Sequence, residues 1–276
     1  MIRITTLIEN SMGEHLALKN EHGEAFCIET GANKVLFDTG QSGAFIENAA
    51  QLRIDLSDLD FVVLSHGHYD HSGGLRALSR VAKNLKMVVG KGFFEEKYAE
   101  LRGGGFEFLG NNFSEEFLKE RNVLFSELSV DALEIVPGVF ILGNFPRTHP
   151  DEAMKDRFKL LKHGKFVLDP FDDEIMLAVD TPRGLVAILG CSHPGMRNML
   201  DAVVSRFKKP IYAVLGGTHL VEASPESMKA SLEYLQNGDF RVIGVSHCIG
   251  QEAMRILELS GAPYFHNRTG SSLVVL

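Results

Sequence analysis

The stretch "LDFVVLSHGHYDHSGG", residues 59–74, constrains the fold more than any other part of the chain. A short apolar run, typical of a buried strand, leads into three histidines and an aspartate at residues 66–71. Burying titratable groups is costly unless they are paired or bind a ligand, which disfavours a purely structural role for the cluster. The strand is therefore expected to end at an edge of the core, where these side chains can converge on a ligand.

The spacing of the cluster predicts a metal site. His66 and His68 are two residues apart after a strand, and residues i and i+2 of extended backbone point to the same side. Asp70 and His71 follow in a tight loop and can face a second position. Neutral imidazole and carboxylate groups suit zinc, manganese or iron. We expect divalent metal, with two ions and zinc as the first choice, and with His66, His68, Asp70 and His71 as ligands.

The remaining sequence alternates short apolar runs with helical periodicity. Strands are predicted for "IRITTLIE", "EAFCIET", "VLFDTG", "LKMVVG", "EIMLAVD", "LVAILG", "PIYAVLGG", "FRVIGVSH" and "SSLVVL". Helices are predicted for "GAFIENAAQLRI", "GGLRALSRVAKN", "MRNMLDAVVSRF" and "SPESMKASLEYLQNG", the last with Ser224 as its N-cap. Two strand-rich halves with interspersed helices predict an α/β fold in which two sheets pack together and the helices lie outside.

Residues 91–122 lack a clear period, since glycine and phenylalanine alternate irregularly in "GKGFF" and "LRGGGFEFLGNNF". Long irregular segments in compact domains are often functional. We keep two interpretations, a surface excursion and a loop that covers the substrate.

Composition excludes several classes of protein. The chain has 276 residues and a net charge of −8, which disfavours a nucleic-acid partner. The three cysteines, Cys27, Cys191 and Cys248, are too few and too far apart for a disulfide framework. The N-terminus has no signal-peptide core, and no apolar run approaches the length of a membrane span. We expect a cytoplasmic protein with no membrane partner.

Further candidate ligands follow apolar strands in the second half. "LVAILGCSHPG" contains Cys191 and His193, "YAVLGGTHL" contains His219, and "VIGVSHCIG" contains His247 and Cys248. Functional residues collect in loops at the ends of strands because the strands hold those loops rigidly. The other histidines (15, 22, 149, 163 and 266) lack this setting and are expected at the surface.

The run H-x-H-x-D-H at 66–71, with "FDTG" at 37–40 before it, resembles the metallo-β-lactamase superfamily. This resemblance implies an αββα sandwich of two mixed sheets with outer helices and with metals at one edge between the sheets. It covers nearly the whole chain, which we interpret as a single domain, 1–276, with a variable insert near 91–130. "GNFPRTHPDE", "LGCSHPGMRNML", "LGGTHL" and "SHCIGQEA" are similar to the branch of 7,8-dihydropterin-6-methyl-4-(β-D-ribofuranosyl)aminobenzene-5'-phosphate synthases.

The second half departs from the superfamily pattern. Cys191 stands where a glycine–aspartate pair usually supplies a bridging carboxylate, and Glu174 is the nearest polar residue to the usual third histidine. His193 and His247 are the ligands we predict there. Cys191 is either a thiolate ligand or a small buried residue.

Three further roles are predicted for single side chains. His219 is either a ligand or a proton donor to the substrate, and Asp70 and His219 are the predicted catalytic residues. Asp38 is expected to orient a histidine of the first loop and not to bind metal itself.

The resemblance implies an enzyme that acts on a phosphorylated or diphosphate-bearing small molecule. The N-terminus of "MRNMLDAVVSRF" and the side chains of Arg147, Arg197 and Arg268 are candidate phosphate partners. Two alternatives stay open: a metal-dependent hydrolase of phosphodiesters or lactones, and a non-catalytic metal or redox protein.

Overall fold

The computed structural model describes residues 1–276, and its strands form sheets of seven, six and four strands. In chain order the strands are β1 (Ile2–Ile8), β2 (Ala25–Thr30), β3 (Asn33–Phe37), β4 (Phe61–Val63), β5 (Lys86–Val89), β6 (Lys97–Glu100), β7 (Phe106–Phe108), β8 (Leu124–Glu127), β9 (Ala132–Val136), β10 (Val139–Leu142), β11 (Phe158–Lys162), β12 (Lys165–Leu168), β13 (Met176–Thr181), β14 (Gly184–Leu189), β15 (Ile211–Gly217), β16 (Val242–Ser246) and β17 (Ser272–Val275).

The helices surround these sheets. They are α1 (Ala44–Gln51), α2 (Tyr69–Ser72), α3 (Leu75–Leu78), α4 (Glu115–Glu120), α5 (Met196–Phe207), α6 (Pro225–Asn237) and α7 (Gln251–Leu259), with short 3-10 helices at Pro150–Glu152 and Leu220–Glu222. None of them combines the length and the apolarity that crossing a bilayer requires. Helix α6 begins as predicted, because the Ser224 hydroxyl accepts the N–H of Ser227 at 3.1 Å.

The two larger sheets are both mixed. The first has the order β17-β1-β2-β3-β4-β5-β8, and its strands β3, β4, β5 and β8 run parallel. The second has the order β16-β15-β14-β13-β10-β9, and its strands β14, β15 and β16 run parallel. Parallel neighbours end at the same edge of a sheet, so the loops that follow them are adjacent.

Alternation along single strands builds the layers of the sandwich. On β14, Val186 and Ile188 pack between the two large sheets, whereas Leu185 and Leu189 pack on the opposite face with α5, α6 and α7. Strand β2 alternates in the same way, with α1 against its outer face. The predicted αββα sandwich is confirmed.

A third sheet, of order β12-β11-β6-β7, was not predicted. Its edge strands β7 and β12 are exposed and only three and four residues long, which is too short for a periodic pattern to identify them. The rings of Phe106 and Phe166 stack across this sheet with centroids 3.5 Å apart. Residues 91–122 therefore contribute strands as well as loops, while the single domain and the insert near 91–130 stay predictions.

The predicted helix at "GGLRALSRVAKN" is wrong in length. Only Leu75–Leu78 is helical, and the preceding turn, Tyr69–Ser72, forms a separate short helix. The Ser79 hydroxyl donates to the carbonyl oxygen of Arg76 at 3.0 Å, a local bond that competes with helix continuation.

Gly73 and Gly74 are required by close packing. A Cβ at Gly74 would lie 2.2 Å from the carbonyl oxygen of Thr39 and 2.3 Å from that of Ser42. Only glycine fits where the chain passes from the histidine cluster to α3 against the carbonyl oxygens of Thr39 and Ser42.

We expect Gly74→Ala to lower the free energy of unfolding by about 1–3 kcal/mol, as overpacking of a close contact does. Gly103→Ala is the matched control, because a Cβ at Gly103 meets nothing within 4 Å. It should leave stability within about 0.5 kcal/mol of the wild type. Urea unfolding of the two variants measures the difference, and equal stabilities would contradict the packing argument.

Candidate metal centre and substrate cavity

Strand ends from the two large sheets meet at one edge of the sandwich. Strand β4 leads into residues 66–71, β14 leads into 190–193, and β16 leads into 247–248. A Cβ added to Gly190 would lie 2.5 Å from both Cβ and Oγ of Ser65. Only glycine allows the loops of the two sheets to approach this closely.

The first group of candidate ligands is His66, His68 and His193. Their ligand atoms lie within 4.8 Å of one another, and His66 Nε2 is 3.0 Å from His68 Nδ1. The His193 ring centroid lies 4.9 Å from that of His66 and 5.1 Å from that of His68. Three imidazoles from two sheets thus converge on one point.

The second group is Asp70, His71, Cys191 and His247, whose ligand atoms also lie within 4.8 Å of one another. Asp70 Oδ2 is 3.3 Å from His247 Nε2 and 3.7 Å from His71 Nε2. Cys191 Sγ lies 3.2 Å from His71 Nε2. The structure therefore brings all six predicted metal ligands together and places Cys191 beside them.

The protonation of the first group and of Asp70 fits metal binding. Burial is the main reason why the pKa values of His66, His68 and His193 lie well below the ordinary histidine value, so their imidazoles are neutral. Burial would raise the pKa of Asp70, but the nearby charge of His71, a hydrogen bond from His22 and the proximity of His247 lower it well below its usual range. Burial would lower the pKa of His71, but the charges of Asp70 and Asp38 raise it to about 9. Neutral imidazole and ionised carboxylate are the forms that bind divalent metal.

Two ring nitrogens in these groups have no hydrogen-bond partner although they are buried: Nε2 of His193 and Nε2 of His247. Buried polar atoms are nearly always paired. Both nitrogens lie within the two groups, and the donor set therefore fits a metal.

The Nδ1 atoms of three candidate ligands, His66, His71 and His247, each have a partner within the protein. Asp38 Oδ2 lies 2.7 Å from His71 Nδ1, as predicted for Asp38, and Ser65 Oγ lies 2.9 Å from His66 Nδ1. Asn10 Oδ1 lies 2.9 Å from His247 Nδ1. Such partners set the tautomer and orientation of metal-binding imidazoles.

Glu174 supports the second-half loop and does not face the ligand groups. Its Oε2 accepts the N–H of His193 at 2.8 Å and its Oε1 accepts the N–H of Ser192. Burial is the main reason why its pKa is raised to about 8. Both oxygens are already used, so Glu174 does not take the place of the missing third histidine.

A buried ion pair links the third sheet to the first histidine loop. Lys97 is 1% exposed, and its Nζ donates to Asp169 Oδ2 at 2.8 Å and to Asp173 Oδ1 at 2.9 Å. Asp173 Oδ2 accepts the N–H of Gly67, the residue between His66 and His68, at 2.9 Å. Burial would lower the pKa of Lys97, but the two carboxylates raise it, so the side chain is a cation.

Several residues of the site have strained backbone. Positive φ angles, which L side chains rarely adopt, occur at Asp38 (58°), Phe171 (53°), Ser192 (65°), His219 (49°) and His247 (51°). The Phe171 ring stacks on His193 with centroids 3.8 Å apart. Strain of this kind persists where the surrounding structure fixes the conformation, and it is common at functional sites.

A cavity of about 730 Å³ opens over both ligand groups. Its lining includes the polar residues His22, Arg157 and Glu222 and the apolar residues Leu109, Phe158 and Met254. The volume and mixed lining suit a small organic molecule. Leu109 and Glu107 come from the irregular segment, which favours the interpretation that this segment covers a substrate.

Two of the predicted phosphate partners, the N-terminus of α5 and the side chain of Arg197, are already paired within the protein. The N–H groups of Arg197 and Asn198 at the start of α5 already donate to the Glu152 carboxylate, at 3.0 and 3.1 Å. The Arg197 guanidinium pairs with Glu152 and Asp151. The two backbone N–H groups and the Nε and Nη2 of Arg197 are therefore already paired with acidic side chains.

The other two arginines also have partners within the protein. Arg147 donates to the carbonyl oxygen of Pro170 at 2.7 Å, and Arg268 Nη2 lies 3.1 Å from His266 Nδ1. Neither side chain is among those that line the cavity.

Several residues of the site were missed. Arg157 lines the cavity, and His22 and His266, expected at the surface, line it too. His22 Nε2 lies 3.2 Å from Asp70 Oδ2. The signal that could have suggested His22 is the His22–Gly23 pair in "NEHGE", which ends two residues before β2.

We expect Lys97→Met to destabilise the protein by about 3–5 kcal/mol, because it leaves two buried carboxylates without their cation. Metal affinity should fall roughly 10–100-fold, since the support of the Gly67 N–H is disturbed. Urea unfolding and competition with a chromophoric chelator measure the two effects.

Lys162→Met is the matched control in the same sheet, because the Lys162–Glu95 pair is exposed (43% and 39%). It should change stability by no more than about 0.5 kcal/mol. A Lys97→Met protein with the stability and metal affinity of this control would contradict the role of the buried pair.

Comparison with known proteins agrees with this geometry. Residues 21–162 match the metallo-beta-lactamase superfamily. The chain is 31% identical to the 7,8-dihydropterin-6-methyl-4-(beta-D-ribofuranosyl)-aminobenzene-5'-phosphate synthase of Methanocaldococcus jannaschii, over 91% of this chain and 89% of the relative. It is 30% identical to an uncharacterized protein of the same organism, over 89% of this chain and 91% of that protein.

Among solved structures, Tm1679, a metal-dependent hydrolase of the beta-lactamase superfamily, superposes with a TM-score of 0.87. The two are 29% identical, and the match covers 100% of this chain and 99% of the other. The chain therefore belongs to the metallo-β-lactamase superfamily, and its fold and relatives support a divalent-metal enzyme of the transferase or hydrolase type.

Proposed function

We propose that the protein is a metal-dependent transferase that acts on a diphosphate-bearing small molecule with a flat, pterin-like ring. The observation that carries this proposal is the position of two adjacent ligand groups at the base of a cavity that also contains Arg157. The similarity to the dihydropterin synthase supports the same substrate class.

In this proposal His66, His68 and His193 hold one ion, and Asp70, His71 and His247 hold a second. Zinc is the first choice, because imidazole and carboxylate ligands suit it. Divalent ions here supply positive charge that stabilises a leaving diphosphate or, in hydrolysis, favours ionisation of an attacking water.

The cavity residues would bind and orient the substrate. Arg157 pairs with the Glu222 carboxylate through Nε, at 3.1 Å, and through Nη2, which leaves Nη1 for a phosphate. Its guanidinium lies 4.4 Å from the centroid of the Phe158 ring. A guanidinium held on an aromatic face presents its donors to a phosphate in a fixed plane. Phe158, Leu109 and Met254 offer an apolar surface for a flat ring.

In the transfer reaction, an aromatic nucleophile forms a bond to the methylene carbon while the bond from that carbon to the diphosphate oxygen breaks. Asp70, which stays ionised, relays the proton that the nucleophile loses. His22, whose side chain is 53% exposed, contacts Asp70 and provides a path for that proton to solvent. His219 keeps its two predicted roles, ligand or proton donor.

Hydrolysis of a phosphodiester or lactone is the second candidate, supported by the hydrolase Tm1679 as a structural neighbour. The same site would then bind an ester, with Asp70 accepting a proton from water. The similarity to a synthase disfavours the non-catalytic alternative. Location in the cytoplasm and the lack of a nucleic-acid partner stay predictions from composition.

The test is release of pyrophosphate by the zinc-loaded protein from a 6-hydroxymethyl-dihydropterin diphosphate and an aminobenzene acceptor. We expect turnover, and we expect His68→Ala to reduce it by roughly 100-fold or more, as loss of charge stabilisation in an active site does. His163→Asn is the control, because His163 lies exposed in a turn with a φ of 52°, which asparagine tolerates.

A wild-type protein that releases no pyrophosphate contradicts the transferase proposal. If that protein hydrolyses bis-p-nitrophenyl phosphate and His68→Ala does not, the hydrolase candidate replaces it. Inactivity in both assays would contradict both functions.

A further inference from the structure

Two cysteines and a histidine form a group that the metal centre described above does not require. Sγ of Cys191, Sγ of Cys248 and a ring nitrogen of His219 lie within 4.8 Å of one another. Cys191 and Cys248 are buried, and the His219 side chain is 10% exposed. The third cysteine, Cys27, lies elsewhere, in the layer between the first sheet and its helices.

The topology explains why these three residues meet. Strands β14, β15 and β16 are parallel neighbours and end at Leu189, Gly217 and Ser246. Each of the three side chains lies two residues beyond the end of its own strand. The same offset on three adjacent parallel strands brings the side chains to one place above the sheet edge.

Gly217 allows the two sulfurs to approach. A Cβ at this position would lie 2.8 Å from Cys248 Sγ and 3.2 Å from the Cα of Cys191. Any larger residue would push the two cysteines apart.

His219 is held in an unusual conformation, and Glu222 Oε2 lies 3.7 Å from its Nε2, beyond hydrogen-bond distance. Its φ of 49° is in the left-handed region, and its backbone N–H donates to Cys248 Sγ at 3.0 Å. Nδ1 and Nε2 are both buried without a hydrogen-bond partner. Since buried polar atoms are nearly always satisfied, this ring points to a ligand that it binds.

We propose that Cys191, His219 and Cys248 form a metal position of their own, which takes a thiophilic divalent ion next to the imidazole and carboxylate groups. Two thiolates and one imidazole are the donor set of a zinc site that keeps a fourth position open. All three residues line the cavity, so that fourth position faces the substrate. Cys191 Sγ is also 3.2 Å from His71 Nε2, which makes this thiolate a bridge between the new position and the second group.

The donor chemistry distinguishes this position from its neighbours. Thiolates prefer soft ions such as zinc and cadmium, whereas the groups at residues 66–71 combine imidazole with carboxylate. The test of this position does not depend on the transferase reaction, because it measures bound metal and not catalytic turnover.

The experiment is titration of the full-length, reduced protein with Cd²⁺ under anaerobic conditions. It records thiolate-to-cadmium charge-transfer absorption and, after desalting, the cadmium bound per chain. We expect Cys248→Ala to lose about half of the charge-transfer intensity and one equivalent of cadmium. Cys27→Ala should match the wild type in both.

His219→Asn provides a second variant that keeps both cysteines and a residue suited to the left-handed backbone. We expect its affinity for one cadmium equivalent to fall roughly tenfold or more, because loss of even an indirect partner of a ligand costs about 10–100-fold. Circular dichroism confirms that each variant is folded before titration.

The proposal is overturned if folded Cys248→Ala binds as much cadmium as the wild type with unchanged charge-transfer intensity. In that case only Cys191 contributes a thiolate, to the group with Asp70 and His247. Equal losses in Cys27→Ala and Cys248→Ala would overturn it too, because binding would then be independent of position.

Discussion

Four buried carboxylates hold the loops that carry the candidate ligands. Asp38 accepts the N–H of Ser65 at 2.7 Å, Asp173 that of Gly67, Glu174 that of His193, and Glu9 that of His247 at 2.6 Å. A buried carboxylate is tolerated only where its hydrogen bonds are complete, so each loop is restricted to the conformation that supplies them. The positions of the imidazoles therefore depend on acidic side chains that do not face the cavity.

These fixed loops explain why strained backbone and unpaired imidazole nitrogens occur together at one edge of the sandwich. Strain at His247 and His219 is offset by bonds to neighbouring loops, and their rings are left directed at possible ligands. An arrangement set before any ligand arrives lowers the cost of binding and orienting a substrate. Flexible loops would lose conformational entropy each time a substrate binds, which would weaken binding.

The sequence predicted the sandwich and the first loop because both depend on local patterns. Alternation on strands such as β14 and the two-residue spacing of His66 and His68 are visible within a few residues. Lys97 and Asn10 could not be found in this way, since Lys97 meets Asp173 and Asn10 meets His247 only through the pairing of distant strands. The strands β7 and β12 are only three and four residues long, too short for a periodic pattern to be recognised, which is why the third sheet was missed.

The central claim is that two adjacent ligand groups at the meeting edge of the sheets bind divalent metal. Anomalous diffraction at the zinc absorption edge, from crystals of the zinc-loaded protein, tests it most directly. We expect one peak among His66, His68 and His193 and another among Asp70, His71 and His247, besides any zinc held by Cys191, His219 and Cys248. Peaks confined to surface histidines such as His163, with none at either group, would contradict it.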